Sequence, residues 1–288
     1  MQDKICLITG ANAGIGQQTA LELAQMGATV VIVARDPQRG EAARAAIAAT
    51  TGNPRVELLQ ADFASPPSIH SMATAFAARY DRLDVLVNNA GVYLTGRETT
   101  ADGLERTFAV NHLGYFMTTL LLWPSLLAAP SARVINLSSD AHRQAKLNFD
   151  DLQNERKYAG FRAYAQSKLA NVLFTYELDR RRGNAPVTVN AVHPGFVASN
   201  FGRNNRGIIG LVMTRLVPLF AKSVVEGAAT SVYLAASPEV EGISGGYFTN
   251  CRAVKSAPQS YDRAAAERLW AISEELTGLR LPSLAHTG

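Results

Sequence analysis

Short apolar runs alternate along the chain with stretches of helical periodicity. Ile5-Cys6-Leu7-Ile8 precedes a helix predicted from about Ile15 to Met26, and Thr29-Val30-Val31-Ile32-Val33 precedes one over Pro37 to Ala49. Val56-Glu57-Leu58-Leu59 leads to a helix from Pro66 to about Tyr80, and Leu83-Asp84-Val85-Leu86-Val87 to a long one from about Ala101 to Leu127. Arg133 to Leu137 reads as a fifth strand, Val187 to Val192 as a sixth, and Gly246 to Thr249 as a short seventh. Strands this apolar are buried on both faces, which requires a parallel sheet covered by helices. Right-handed crossovers then give an α/β, doubly wound sheet of about seven strands with helices on both sides. No repeat, low-complexity linker or composition break divides the chain, so residues 1–288 read as one domain with a helical excursion near Gly202 to Ala221.

Composition narrows the field. The chain has 288 residues, 47% hydrophobic and 18% charged, with a net charge of +4. That excludes a disordered chain, and the length suffices for a sizeable core. The mild basic bias suits an anionic ligand. No basic block is interleaved with aromatics, so nucleic acid is not expected as a partner. Arg180-Arg181-Arg182 reads as a solvated helix end. Two cysteines, Cys6 and Cys251, make no disulfide framework and point to a reducing, cytoplasmic compartment. Met1-Gln2-Asp3-Lys4 runs straight into a strand, so no signal peptide is expected, and no transmembrane segment either. The nearest candidate, Ile208 to Ala221, is short and carries Arg215 and Pro218.

The first strand ends in Thr9-Gly10-Ala11-Asn12-Ala13-Gly14-Ile15-Gly16, which opens a helix. Glycines permit a tight turn and close approach of backbone to a phosphate, and the helix N-terminus supplies free N–H groups and positive dipole. A Gly-rich turn means little alone; here it has the strand–turn–helix setting of a Rossmann-type dinucleotide site. In such a site the end of the second strand meets the adenosine ribose, where an acid selects NAD and an arginine accommodates the 2′-phosphate of NADP. Ala34 stands where the acid is expected, Arg35 follows it, and Arg39 lies one turn on, which favours NADP(H). Asp36 reads as the N-cap of the next helix, with Pro37 at its first position.

Further candidates gather at the carboxyl ends of the predicted strands, where ligands bind in this architecture. Asn88-Asn89-Ala90-Gly91 ends the fourth strand, Ser138-Ser139 the fifth and His193-Pro194-Gly195 the sixth. Tyr164 and Lys168 are four apart, which places them on one helix face. A tyrosine titrates near pH 10, and a neighbouring ammonium favours its phenolate, so the pair is expected to bring the phenol toward neutrality as a general acid or base. Tyr158 with Arg162 is a nearby decoy. His142 and His193 have no companion at metal-ligand spacing, so no metal is expected, and His142 could line the substrate mouth. Nothing near Cys251 in sequence would activate a thiol.

Together these motifs resemble the short-chain dehydrogenase/reductase family over nearly the whole chain. Within it the chain is similar to the retinol dehydrogenase-like branch. The likeness is carried by Leu137-Ser138-Ser139-Asp140-Ala141-His142 with the long insertion Lys146 to Arg162, by Ser167 to Phe174, and by Gly246 to Cys251 with the tail Ala266-Glu267-Arg268-Leu269-Trp270.

The resemblance implies hydride transfer between a nicotinamide and a carbonyl or alcohol carbon. By the same resemblance Tyr164 exchanges the proton with the substrate oxygen, Ser139 orients that oxygen, and Lys168 holds the nicotinamide ribose and lowers the Tyr164 pKa. Asn111 would position a water in a proton relay; alternatively it satisfies backbone groups where the long helix bends. Ser138 is the rival to Ser139. The implied cofactor contacts are Gly10, Asn12, Gly14, Ile15, Gly16, Arg35, Asp62, Asn89, Ala90, Gly91, Tyr164, Lys168, Pro194, Gly195 and Val197. Asp62 has an alternative reading as a turn cap, and Asp84 reads as structural. The family keeps a substrate lid at about residues 200–221. Its apolar residues here, Ile208 to Met213 and Leu216 to Phe220, suggest a small hydrophobic carbonyl or alcohol, retinoid-like or otherwise. They could equally form a packing or dimer face. Self-association through the helices around Ala101–Leu127 and Phe161–Arg182 is usual in the family. The alternative function is a non-catalytic dinucleotide-dependent sensor or scaffold.

Overall fold

The computed structural model of the chain describes residues 1–195 and 223–282. The expected lid at 200–221, the helical excursion and Val197 lie outside the described residues. Among the described residues, eight strands form one sheet in the order β3-β2-β1-β4-β5-β6-β7-β8. They are β1 Ile5–Thr9, β2 Thr29–Ala34, β3 Val56–Gln60, β4 Val85–Asn88, β5 Ala132–Leu137, β6 Val187–Val192, β7 Tyr247–Thr249 and β8 Arg252–Ala253. All pairings are parallel except β7 with β8.

Alternate residues of each strand feed two cores, as the two-residue period of a strand requires. Cys6, Ile8, Val30, Ile32, Val85, Val87 and Ile135 pack with α1 (Gly14–Gln25), α2 (Pro37–Thr51) and α8 (Val224–Ala236). Leu7, Val31, Val33, Leu86 and Val134 pack with α3 (Pro66–Ala77), α5 (Gly114–Leu121) and α6 (Trp123–Leu127). The chain winds outward from β1 through β2 to β3, then crosses back to β4 on the other side of β1. Strand order therefore reverses between β1 and β4, and their carboxyl ends open the crevice where such sheets bind ligands. Asp84, just before β4, has the structural role expected of it. It accepts from the Ile5 N–H at 2.9 Å, Lys4 Nζ at 2.9 Å and Arg82 Nε at 3.1 Å.

The long helix expected from Ala101 to Leu127 is broken. Thr99 bridges to Glu105, and Gly103 is left-handed at φ +79°, so the chain turns before it winds. The buried Glu105 carboxylate starts α4 (Arg106–Phe108) by accepting the Thr107 and Phe108 N–H groups at 2.8 and 2.7 Å. The winding then widens to a π-helical turn over Ala109–Leu113 before α5. Pro124 has no N–H to continue the ladder, so α5 stops and α6 restarts around it.

The C-terminal helix α9 (Arg263–Thr277) packs on α5 and α7 (Gly160–Arg181). Trp270 stacks on Phe174 at 5.9 Å and meets Phe116 edge-on at 5.1 Å. Arg181 lies over the same indole, and Ser273 reaches His112 Nε2 at 2.9 Å. Arg180 and Arg181 pair with Glu177, and Arg182 with Asp179, so the basic run at the end of α7 is neutralised locally.

The eighth strand was not anticipated. It follows a two-residue hairpin turn in which Asn250 and Cys251 are both left-handed, at φ +51° and +57°. Such turns usually carry Asn-Gly, and the missing glycine hides the hairpin. A cysteine there holds a conformation costing an L-residue about 1–2 kcal/mol. Cys251→Gly is therefore expected to stabilise the protein by roughly 1 kcal/mol, net of the glycine's greater unfolded-state freedom. Urea unfolding checks this, and a lowered midpoint would show that the turn carries no such strain.

Candidate active site

The phosphate loop is built by ties between the ends of β1 and β4. Thr9 Oγ1 accepts the N–H groups of Asn89 and Ala90 at 2.8 and 2.9 Å. Asn89 Nδ2 returns bonds to the carbonyls of Thr9 and Gly10 at 2.7 and 3.2 Å. Gly10 is left-handed at φ +64°, and a Cβ on it would lie 2.8 Å from the Ala90 Cα. A Cβ on Gly16 would run into Asn89 Nδ2. Asn12, Gly14 and Ile15 are half-buried along the loop. No side chain caps the N-terminus of α1, so its N–H groups remain for an outside acceptor. A cradle that Cβ atoms would fill, next to an uncapped helix start, fits the diphosphate of a dinucleotide.

Arg35 and Arg39 are exposed at the end of β2, and neither forms an ion pair among the described residues. Asp36 caps α2, accepting from the Gln38 and Arg39 N–H groups at 2.9 and 3.0 Å. Asp62 Oδ1 accepts the Ala64 N–H at 2.9 Å, which is the turn-cap arrangement. Beyond β6, the His193 N–H donates to the Phe248 carbonyl at 2.9 Å, and Gly195 turns the chain at φ +86° after Pro194.

Tyr164 and Lys168 project from α7 toward the end of β5. Ser138 and Ser139 have separate jobs there. The buried Ser138 hydroxyl donates to the Lys168 carbonyl at 2.8 Å. The Ser139 hydroxyl bonds the Tyr164 phenol. Lys168 Nζ donates to the Leu137 carbonyl at 3.0 Å, which also accepts Asn171 Nδ2 at 3.0 Å. Asn111 comes from the π-helical turn. Its Oδ1 accepts the Val92 N–H at 2.8 Å, and its Nδ2 donates to the Val92 carbonyl and Ser167 Oγ, each at 3.0 Å. The side chain thus satisfies backbone where the long helix bends, one of the two roles expected for it. Asn111 and Lys168 nonetheless converge on Gly91: a Cβ there would lie 3.4 Å from Asn111 Oδ1 and 3.7 Å from Lys168 Nζ.

The electrostatics differ from the sequence expectation. Burial pushes the Tyr164 phenol up to about 12, with the Ser139 hydrogen bond pulling the other way. Burial pushes the Lys168 ammonium down to about 7. The lysine nitrogen sits 5.8 Å from the Tyr164 ring centre, turned to the Leu137 carbonyl. Directed elsewhere and itself disfavoured by burial, it does not offset the desolvation that raises the phenol.

His142 lines no substrate mouth. It is fully buried, bonded to the Ser139 carbonyl and to the Ala257 N–H. Tyr158 donates to the Leu94 carbonyl at 3.1 Å, beside Glu105, in a structural role. Among the described residues, no three His, Cys, Asp or Glu side chains converge as a metal site. Sequence reasoning missed Thr9 and Asn171. Both lie in segments that the motifs cover, but the spacing assigns neither a role, and their importance appears only when β1, β4, β5 and α7 come together.

The short chain dehydrogenase family model matches residues 4–207. The chain belongs to the short-chain dehydrogenase family and is an oxidoreductase of that class. It is 44% identical over 277 residues to human retinol dehydrogenase 12, covering 96% of this chain and 87% of that protein. An uncharacterized protein from Mycobacterium paratuberculosis superposes with a TM-score of 0.79 at 32% identity, over 98% of this chain and 96% of that one. A short chain dehydrogenase from Burkholderia cenocepacia, crystallised with NADP, superposes at 0.68 and 28% identity, over 86% and 96% of the two chains.

Lys168→Met keeps the aliphatic stem and removes a buried ammonium, while the Leu137 carbonyl retains Asn171 as donor. The variant is expected to lose turnover yet gain about 1–3 kcal/mol of stability at neutral pH. The lysine's folded value is depressed from 10.5 to about 7. Its penalty is therefore complete below pH 7 and fades as pH rises toward 10.5, where the unfolded chain also gives up the proton. Thermal unfolding of both proteins across that range checks magnitude and sign. A variant less stable than wild type at pH 7 would refute it.

Proposed function

We propose that this chain is an NADP(H)-dependent dehydrogenase or reductase that interconverts an alcohol and a carbonyl on a small apolar substrate, retinoid-like or another hydrophobic aldehyde or ketone. The observation that carries this reading is the meeting of the Ser139 hydroxyl with the Tyr164 phenol, next to Lys168 and the glycine cradle. NADP(H) is favoured over NAD(H) because Ala34 replaces the acid at the end of β2 and Arg35 stands exposed beside it. The NADP complex of the Burkholderia relative agrees with this preference. The apolar substrate is supported by the name of the human relative, retinol dehydrogenase 12.

In this reading the backbone N–H groups at the start of α1 bind the diphosphate, Arg35 and Arg39 receive the 2′-phosphate, and Asn89, Ala90 and Gly91 line the path inward. Lys168 holds the nicotinamide ribose. A bound nicotinamide supplies the hydride for reduction and accepts it in oxidation. Ser139 donates a hydrogen bond to the substrate oxygen and fixes its place beside Tyr164. In reduction Tyr164 Oη gives that oxygen a proton. In oxidation the tyrosinate takes it back, and Asn111, with a water, lies on the route from Lys168 to solvent. With its value raised by burial, the Tyr164 phenol carries at neutral pH the proton that reduction consumes. A sensor would have no use for a buried lysine that costs stability, and this weighs against a non-catalytic role.

The test is a panel of aliphatic, aromatic and polyene aldehydes and ketones with NADPH and NADH. Tyr164→Phe is expected to lower kcat by about a thousandfold or more with little change in coenzyme binding. Arg35→Ala is expected to weaken NADPH binding by roughly tenfold or more while sparing NADH. Wild-type rates in Tyr164→Phe would remove the proposed acid, and equal losses for both coenzymes would remove the proposed phosphate contact.

A further inference from the structure

We infer that His142 is a positioning residue: its imidazole, fixed as the Nδ1–H tautomer, braces the backbone of Ser139, and so the hydroxyl that meets Tyr164, against the C-terminal segment at Ala257. The inference rests on the proposed pairing of Ser139 with Tyr164 as the reacting groups.

Two bonds dictate the tautomer. Nδ1 lies 2.6 Å from the Ser139 carbonyl oxygen, which can only accept, so Nδ1 carries the proton. The Ala257 N–H, which can only donate, points at Nε2 from 3.0 Å, so Nε2 is bare. Both ring nitrogens are used, the residue is fully buried, and its ring rests on Tyr247 with centres 4.9 Å apart. Burial holds the imidazole's pKa below its ordinary value. A second proton would set Nε2–H against the Ala257 N–H, two donors face to face.

Ser139 needs the brace. Its backbone is extended, at φ −159° and ψ 153°, between the end of β5 and a 3₁₀ turn over Asp140–Gln144. The paired register of β5 ends at Leu137, and the ladder that reaches Ser139 is the first bond of the 3₁₀ turn. Its carbonyl receives the His142 N–H at 3.0 Å and the imidazole, and its hydroxyl is steadied by the Ala141 N–H at a long 3.3 Å. The same turn is clasped from outside by the segment following β8. Gln259 Nε2 donates to the carbonyls of His142, Arg143 and Ala145 at 3.1, 3.0 and 2.9 Å. Arg143 Nη2 donates to the Lys255 carbonyl at 2.9 Å. His142 is the member of this clasp that reaches the serine itself. The C-terminal segment, remote in sequence from the reacting groups, thereby sets where the serine stands.

The two ring nitrogens can be replaced one at a time. An asparagine amide nitrogen falls near the place of Nδ1 and can donate to the Ser139 carbonyl. A glutamine amide oxygen falls near Nε2 and can accept from Ala257. If His142 acts through Ser139, His142→Ala and His142→Gln lower kcat by about tenfold or more, His142→Asn stays within about threefold of wild type, and the coenzyme KM is unchanged in all three. A merely structural role predicts the same fate for Asn and Gln. Equal kcat in those two variants, wild-type kcat in His142→Ala, or a coenzyme KM that rises as kcat falls would each overturn the inference. Should His142→Ala fail to fold, the contrast between Asn and Gln decides. Nitrogen NMR of the imidazole in the wild-type protein needs no substrate: Nδ1 protonated and Nε2 bare at neutral pH is the expected result. An Nε2–H ring, or one titrating freely near about pH 6.5, would remove the brace. If no substrate in the panel is turned over, the proposed activity fails while the NMR result still tests the brace.

Discussion

Lys168 carries its ammonium into the interior between α7 and the end of β5, and the surrounding structure is arranged to make that tolerable. An amine taken out of water must find an acceptor or lose its charge. The acceptor is the Leu137 carbonyl, the last of β5, at 3.0 Å. Tyr115 adds a ring face 5.5 Å from the nitrogen. From the same carbonyl a buried polar path runs back under the site. Asn171 donates to it, Thr175 donates to the Asn171 carbonyl, and Asn136 donates to Thr175. Asn88 then donates to Asn136 Oδ1 and to Thr119 Oγ1. This path locks the ends of β4 and β5 and the middle of α7 in one register, which fixes the carbonyl that receives the lysine.

A second set of ties does the same for the cofactor side. Thr9 and Asn89 exchange bonds across the reversal point of the sheet, and their reach determines how closely the β1 and β4 ends approach. Glycine at positions 10 and 16 follows from that closeness, because a Cβ at either would enter the Ala90 backbone or the Asn89 amide. The glycine loop is therefore shaped by its protein neighbours as much as by any ligand. What it leaves to the ligand is the uncapped start of α1.

The fold was legible because its signals are local. Apolar runs of strand length, glycines after β1, Asp36-Pro37 at the start of α2 and the i, i+4 spacing of Tyr164 and Lys168 can each be read within a dozen residues. The elements that escaped are settled by contacts between distant segments. The break before α4 depends on the buried Glu105 carboxylate, and the π-helical turn holds Asn111 against Val92. The β8 hairpin lacks the glycine that announces such turns. The phenol's acidity likewise depends on contacts that spacing does not show. Spacing shows that Lys168 is near Tyr164, but the burial that disfavours its charge and its orientation toward Leu137 appear only in three dimensions. His142 looked like a mouth residue because its two partners, Ser139 and Ala257, are far apart in sequence.

The adjacent serines show how one motif can hold two unlike roles. Consecutive residues of an extended chain point to opposite sides. Ser138 turns inward and spends its hydroxyl on the Lys168 carbonyl, fastening α7 to the end of β5. Ser139 then faces the opening, where its hydroxyl reaches Tyr164. Exchange of roles would require a one-residue slip of β5, which would also carry Val134 and Ile135 into the wrong cores. The identity of the reacting serine is thus fixed by the alternation of the strand beneath it. The hydrophobic pattern that builds the sheet is also what aims the hydroxyl.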